Sequence, residues 1–361
     1  MKDLILKFRV KGTPCGCLRY GCGHINETYL VTCNSGLNYI LQKINKTVFS
    51  DPLGLMENIS AVTGFLEERS DDPRSSMHVI PTVGGESCYR DEEGEYWRMY
   101  AFVVSSLSLQ KAESPEDFYN SGLAFGRFQR QLAEFSAQTL HEPIRDFHNT
   151  RARFAQLHAA MEKAEPERIA ACRKELEFAL AREEEAGLIV DALADGRIPL
   201  RVTHNDTKLN NILFDYDTRQ PLCVIDLDTI MPGSSLYDYG DAIRFGASTA
   251  AEDEKDLDKV WCDMELFRTY TEGFLTGCGD SLTDEEVNML PVGAKMMTLE
   301  CGTRFLADFL NGDVYFRTHY EGQNLDRART QLKLVADMED KWETMSQIVR
   351  QTKSAFCAPV K

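Results

Sequence analysis

The 361-residue chain is long enough to bury a core in two lobes or one large α/β unit, and its 43% hydrophobic content is that of an ordinary globular protein. A formal net charge of -17 excludes the clustered basic surface that nucleic-acid binding requires. No apolar run of about 18 residues exists to form a transmembrane helix, so a cytoplasmic protein acting on a small neutral partner is expected.

The opening run MKDLILKFRVKG carries Asp3, Lys7 and Arg9 within its apolar stretch and no small-residue cleavage site, unlike a secretory leader. Next, PCGCLRYGCGHINETYLV gathers Cys15, Cys17, Cys22 and His24. Their C-x-C-x4-C spacing lacks the paired C-x-x-C knuckles of structural zinc sites, and scattered cysteines in a chain without a leader read as free thiols. Within the same stretch Gly21 and Gly23 precede a β-branched run, where backbone N–H groups can approach a phosphate without a Cβ in the way.

TYLVTC and NYILQKI, joined by NSG, read as a β-hairpin. In DPLGLMENISAVTGFLEER, Asp51 caps a helix, Pro52 suits its first position, and Leu55, Ile59, Val62 and Leu66 form one apolar face. HVIPTV and YWRMYAFVV then read as strands flanking a polar, glycine-containing segment. From Ser114 the chain turns helical, with PEDFYNSGLAFGRFQRQLAEF and EPERIAACRKELEFALAREEEAGLIVDAL as helix-length segments. A strand-rich island, LRVTHNDTKLNNILFD and LCVIDLD, interrupts the helices, which then resume to the end. The order predicts an α+β fold with a small antiparallel-sheet lobe over residues 1–103, a hinge at about 99–104, and a larger helical lobe over 104–361.

The island carries the chemistry. His204 and Asp206 follow an apolar strand, Asn211 comes five residues later, and a second strand delivers Asp226. H-x-D-x4-N followed by a strand-borne Asp is the arrangement that phosphoryl transfer needs. One carboxylate, Asp206, orients and deprotonates an acceptor hydroxyl; an amide and a second carboxylate, Asn211 and Asp226, hold magnesium against nucleotide phosphates. Lys208 can offset charge on the transferring group. Asp228 falls on the same face as Asp226 if the strand continues, either as a second ligand or as a turn residue. Only 14 residues separate Asp226 from Asp241, too few for a segment that presents a peptide, so the acceptor is small.

These residues carry a family likeness. With GCGHINETYLV, YILQKIN, AFGRFQ, PLRVTHNDTKLNNIL, IDLDTIMPGSSLYDYGDAIRFGA and ECGTRFLADFL, the chain resembles the aminoglycoside phosphotransferase and choline kinase superfamily, and within it the N-acetylhexosamine 1-kinases. The resemblance implies a two-lobed protein-kinase-like fold and transfer of the ATP γ-phosphate, with magnesium, to the anomeric hydroxyl of a neutral amino sugar. It implies that Gly21, Gly23, Gln42, Tyr100 and Phe102 serve the nucleotide, and that His24, Asn26, Asp206, Arg304 and Tyr315 serve the sugar. Tyr315, Phe316 and Trp342 can cover a sugar face, although aromatics at helical positions more often belong to the core; Asp241 either braces the catalytic loop or caps a helix, and His148 in FHNT reads as structural.

Two departures from the wider kinase pattern stand out. Where a strand lysine pairs the α- and β-phosphates, YILQK places Gln42 in register and Lys43 on the opposite face. The partner glutamate of the first helix is unassigned between Glu57 and Glu67. The rival readings are therefore a kinase of another small alcohol, such as choline, homoserine or an aminoglycoside, and a nucleotide-binding pseudokinase.

Overall fold

A computed structural model of the chain describes residues 1–21, 23 and 25–357. After a single helical turn, α1 (Lys2–Ile5), the N-terminal sheet is built from β1 (Pro14–Arg19), β2 (Glu27–Cys33), β3 (Asn38–Lys43), β4 (Tyr89–Arg90) and β5 (Tyr96–Ala101), in the order β1-β2-β3-β5-β4, all antiparallel. The hairpin read from TYLVTC and NYILQKI is β2–β3. HVIPTV does not become a strand: Pro81 lacks a donor, and the segment lends β5 only isolated bonds, Ile80 N to Met99 O at 2.7 Å and Ala101 N to His78 O at 2.9 Å.

The helix α2 (Pro52–Glu67) starts as its sequence dictates, with Asp51 accepting from Gly54 N at 3.0 Å and Pro52 in the first turn. Its buried stripe of Leu55, Ile59, Val62 and Leu66 packs with Ile44, Tyr100 and Phe128, so one core runs from the sheet into the helical lobe. The other face of the sheet buries Val31, Leu41, Trp97 and Met99.

The C-lobe holds β6 (Ser106–Ser108), β8 (Ile212–Asp215) and β9 (Pro221–Val224) as one small sheet, and β7 (Arg201–Thr203) with β10 (Met231–Gly233) as another. Around them lie α3 (Pro115–Gln131), α4 (Thr150–Lys163), α5 (Pro166–Ala171), α6 (Arg173–Leu180), α7 (Leu188–Ala194), α8 (Ser235–Gly246), α9 (Met264–Cys278), α10 (Asp284–Asn288), α11 (Leu290–Leu310), α12 (Gln323–Asp340) and α13 (Trp342–Cys357). The central pair, α3 and α9, meets backbone to backbone: a Cβ on Gly122 or Gly126 would strike the carbonyl oxygens of Tyr270 and Phe274. None of the described helices is long and apolar enough to cross a membrane.

The long helix read over residues 165–193 is instead α5, α6, a tight turn at Glu183–Gly187, and α7. At the turn Glu183 pairs with His158 at 3.0 Å and Glu185 with Lys295 at 2.6 Å, and Gly187 stands where a Cβ would strike the Arg151 guanidinium.

The lobes are tied at the surface by Arg74, whose guanidinium donates to Asp215 at 2.8 Å. Asp215 also accepts from Thr218 N at 2.9 Å in the β8–β9 turn. The Thr218 amide and Arg74 together depress its carboxyl to about 2. A depressed carboxyl stabilises the fold above its unfolded value of about 3.9 and loses that contribution as pH falls toward 2. Asp215→Asn is therefore expected to lower Tm at pH 7 and to flatten the fall of Tm between pH 4 and 2, measured by thermal melts across that range.

Candidate active site in the interlobe cleft

The catalytic loop follows β7 and is held from beneath by α8. Asp238, fully buried, accepts from His204 N at 3.0 Å, Asn205 N at 2.7 Å and the Gln129 amide at 2.7 Å. Burial raises its carboxyl above the ordinary range in spite of these donors. Asp241, expected as the brace, accepts one loop amide, Thr207 N at 3.2 Å, and otherwise binds Arg244 at 2.8 Å. Although buried, its carboxyl lies below the ordinary value because Arg244 and Lys208 face it.

His204 joins the two halves of the motif. Its Nδ1 accepts from Asp206 N at 3.3 Å, which assigns the proton to Nε2, and Nε2 donates to Ile225 O at 2.9 Å beside Asp226. Both Asn205 and Asp226 sit in the left-handed region, at φ 65° and 61°. Such residues cost backbone energy, and Asn and Asp tolerate it best. β9 thus stops at Val224, and Asp226 and Asp228 do not share a strand face as the alternation suggested.

Asp206 presents its carboxylate to Lys208 Nζ at 2.7 Å and to Asn211 Nδ2 at 3.1 Å. Asn211 also donates to Asp206 O at 2.8 Å, so its amide hydrogens are spent and its oxygen is left for a cation. Asp226 is open to the cleft but walled by protein elsewhere, and no described group donates to its carboxylate. Desolvation by those walls, then the charges of Asp228 and Asp206, push it up to about 6. A carboxylate that lacks donors and is crowded by like charge, beside a free amide oxygen, suits a hard cation such as magnesium. Among the described residues no three His, Cys, Asp or Glu side chains converge as a metal cage, so phosphate and water oxygens would complete the shell.

On the nucleotide side, Gly21 and Gly23 lie in the β1–β2 turn with open space around both, and Gly21 takes φ 80°. Phe102 donates its N–H to Asn38 O and sets its ring against Tyr20, 6.1 Å between centroids. Tyr100 shares a strand face with Arg98, and its side chain is buried in the core against α2, which leaves its backbone for any contact with a nucleotide. Lys43 faces the other way, to Glu95 at 3.4 Å.

Gln42 lies opposite Arg98 in the β3–β5 ladder. Its amide nitrogen donates to Thr28 Oγ1 at 3.0 Å and its oxygen accepts from Arg98 Nε at 2.9 Å. The Arg98 side chain, 1% exposed, reaches across to form an ion pair with Asp228 of the C-lobe. Asp228 also accepts from Asn26, whose own oxygen accepts from Asn45 N at 3.0 Å. Asn26, expected at the sugar, is thereby committed to this cluster. No helix carboxylate joins it. Glu57 pairs with His141 and Glu67 with His78 at the surface, and the inward polar residue of α2 is Asn58, bonded to Ile230 O at 3.0 Å.

On the acceptor side, His148 Nδ1 donates to buried Glu300 at 2.9 Å, beneath Asn205. Thr150 also donates to Glu300, and Asn149 caps α4. One turn along α11, Arg304 lies 4.0 Å from Glu300, with its guanidinium 5.3 Å above the Phe147 ring and 5.4 Å above Phe316. Burial, and then repulsion from Arg304, lower the guanidinium of Arg153 below its usual value, while the Glu300 carboxylate between them acts in the opposite sense. Asp308, four residues beyond Arg304, accepts the amides of Val314, Tyr315 and Phe316 at 3.1, 2.8 and 2.9 Å. That grip presents Tyr315, 66% exposed, at the cleft edge.

Residues 17–270 match the model of the phosphotransferase enzyme family. The chain belongs to this family. The phosphotransferase is similar in fold to a microcompartment-associated aminopropanol kinase, at 16% identity and TM-score 0.60 over 96% of this chain and 97% of that one. It is also similar to an aminoglycoside phosphotransferase from Alicyclobacillus acidocaldarius, at 14% and 0.63 over 97% and 95%. An ethanolamine kinase from Plasmodium vivax matches at 13% and 0.55 over 91% and 84%. These identities speak to the fold alone.

The phosphotransferase fold brings together Asp206, Lys208, Asn211 and Asp226 at one end of the cleft, and links Arg304 to the loop through Glu300 and His148. His24 and Cys22 lie outside the described residues, so the cysteine–histidine reading has no structural account. Trp342 does not reach the cleft: it lines a groove of about 230 Å³ with Glu185, Lys295 and Glu339. Two residues escaped sequence reasoning, Asp238 and Arg98. The first was visible as the earlier Asp of YDYGD, and the second only through strand register.

Proposed function

We propose that this phosphotransferase uses ATP to phosphorylate the C1 hydroxyl of an N-acetylhexosamine, giving the sugar 1-phosphate and ADP. The family and the catalytic loop support phosphoryl transfer to a small molecule; the observation that carries the sugar reading is Arg304 spread over Phe147 and Phe316. A guanidinium offers donors to hydroxyl and acetamide oxygens, and flat rings accept the C–H face of a sugar. An ammonium acceptor, as implied by the names of the aminopropanol and ethanolamine kinases, would find the carboxylate of this wall, Glu300, already engaged by His148, Thr150 and Arg304.

In this reading Asp206 accepts the C1 hydroxyl proton as the oxygen attacks the γ-phosphorus and ADP departs. Lys208 holds Asp206 in place at 2.7 Å and is kept charged by it against the cost of desolvation. Asn211 and Asp226 would hold magnesium, which supplies charge neutralisation for the phosphates when bound. The pseudokinase reading has less support, since the Asp206, Asn211 and Asp226 set is intact.

Incubation with ATP, magnesium and a panel of N-acetylhexosamines, hexoses, choline, ethanolamine, homoserine and aminoglycosides tests this. ADP release with loss of reducing-end reactivity on N-acetylhexosamines is the expected result. ADP release with the reducing end intact overturns C1 transfer, and turnover on amino alcohols alone overturns the sugar reading.

A further inference from the structure

We propose that Arg98 is the nucleotide-binding cation of this cleft, taking from β5 the phosphate-facing role that a β3 lysine plays in kinases of this plan, with Asp228 as its positioning partner. The inference rests on ATP being the donor. Gln42 occupies the lysine's register and carries no charge, but Arg98 stands directly across the ladder from it and on the same face. The missing charge is thus displaced by one strand.

The geometry holds the guanidinium at the cleft from two sides. Nε donates to Gln42 and Nη1 faces Asp228, itself fixed by Asn26. Nη1, for all its closeness to Asp228, is a buried nitrogen with no hydrogen bond of good geometry, and Nη2 bonds to none of the described residues, although a guanidinium carries five donor hydrogens. A buried arginine tied to one carboxylate is a poor way to gain stability, because two desolvated ions rarely outperform an apolar pair. A second anion arriving at Nη2 gives that burial a purpose. The cluster also replaces the usual lysine–glutamate pair of the small lobe with a pair that spans both lobes, since the partner comes two residues after Asp226.

Comparison of ATP with adenosine separates a phosphate contact from a structural role, because both share the base and ribose. Isothermal titration with each is expected to show that Arg98→Met weakens ATP about 10- to 100-fold and leaves adenosine within about 2-fold, the effect of deleting one charge-assisted bond. Arg98→Lys, which preserves charge at a different reach and serves if the Met variant does not fold, should recover part of the ATP affinity. Asp228→Asn should raise the KM for ATP more than it changes kcat. Equal losses for ATP and adenosine in Arg98→Met, or no loss for either, overturns the assignment. If the wild type itself fails to prefer ATP over adenosine, the donor reading falls first and this inference falls with it.

Discussion

Asp206→Asn is expected to lower turnover about 10²- to 10⁴-fold, the range for removing a general base. Thermal melting should stay within about 2 °C of wild type, because the substitution is nearly isosteric and the lost ion pair with Lys208 is solvent-accessible. The remaining oxygen still accepts from Asn211, so the loop keeps its shape. Steady-state kinetics beside a melt check both statements. Retained turnover removes Asp206 from the role of base, and a collapsed melt assigns it to the fold.

The second large effect is expected at a residue that touches no substrate. Asp238→Ala leaves His204 N, Asn205 N and the Gln129 amide without their acceptor in a site that excludes water. Each unpaired buried donor costs about 1–3 kcal/mol, and allowing for relaxation the variant should lose about 3–5 kcal/mol, read by denaturant unfolding. Turnover should fall as well, since those amides set the register of Asp206. Asp238→Asn, which keeps one oxygen, should fall between wild type and alanine on both measures. Wild-type stability in Asp238→Ala would show that the loop is held by other contacts.

The catalytic loop was legible because its parts are local: His204, Asp206 and Asn211 lie within eight residues, and their spacing encodes their roles. The hairpin and α2 were legible for a similar reason, through turn and cap chemistry within each segment. What stayed hidden depends on contacts between segments. Gln42 and Arg98 are 56 residues apart and meet only through the β3–β5 register. Asp238 and Asp241 both face the loop from one helix, and spacing alone does not say which receives its amides. Asn26, which the resemblance assigns to the sugar, is held at its two ends by Asp228 and Asn45, which lie 202 and 19 residues away. The broken helix over α5 to α7 likewise meets partners distant in sequence, His158 and Lys295, at its tight turn.

The surface placement of Glu57 and Glu67 reaches beyond the chemistry. In protein kinases the swing of the corresponding helix makes or breaks the lysine–glutamate pair, and this is how many of them are turned on and off. Here α2 supplies no charge to that pair, because Arg98 is answered from the opposite lobe, and Asn58 fastens the helix to Ile230 O of the same lobe. The helix that works elsewhere as a regulatory lever is here part of the frame.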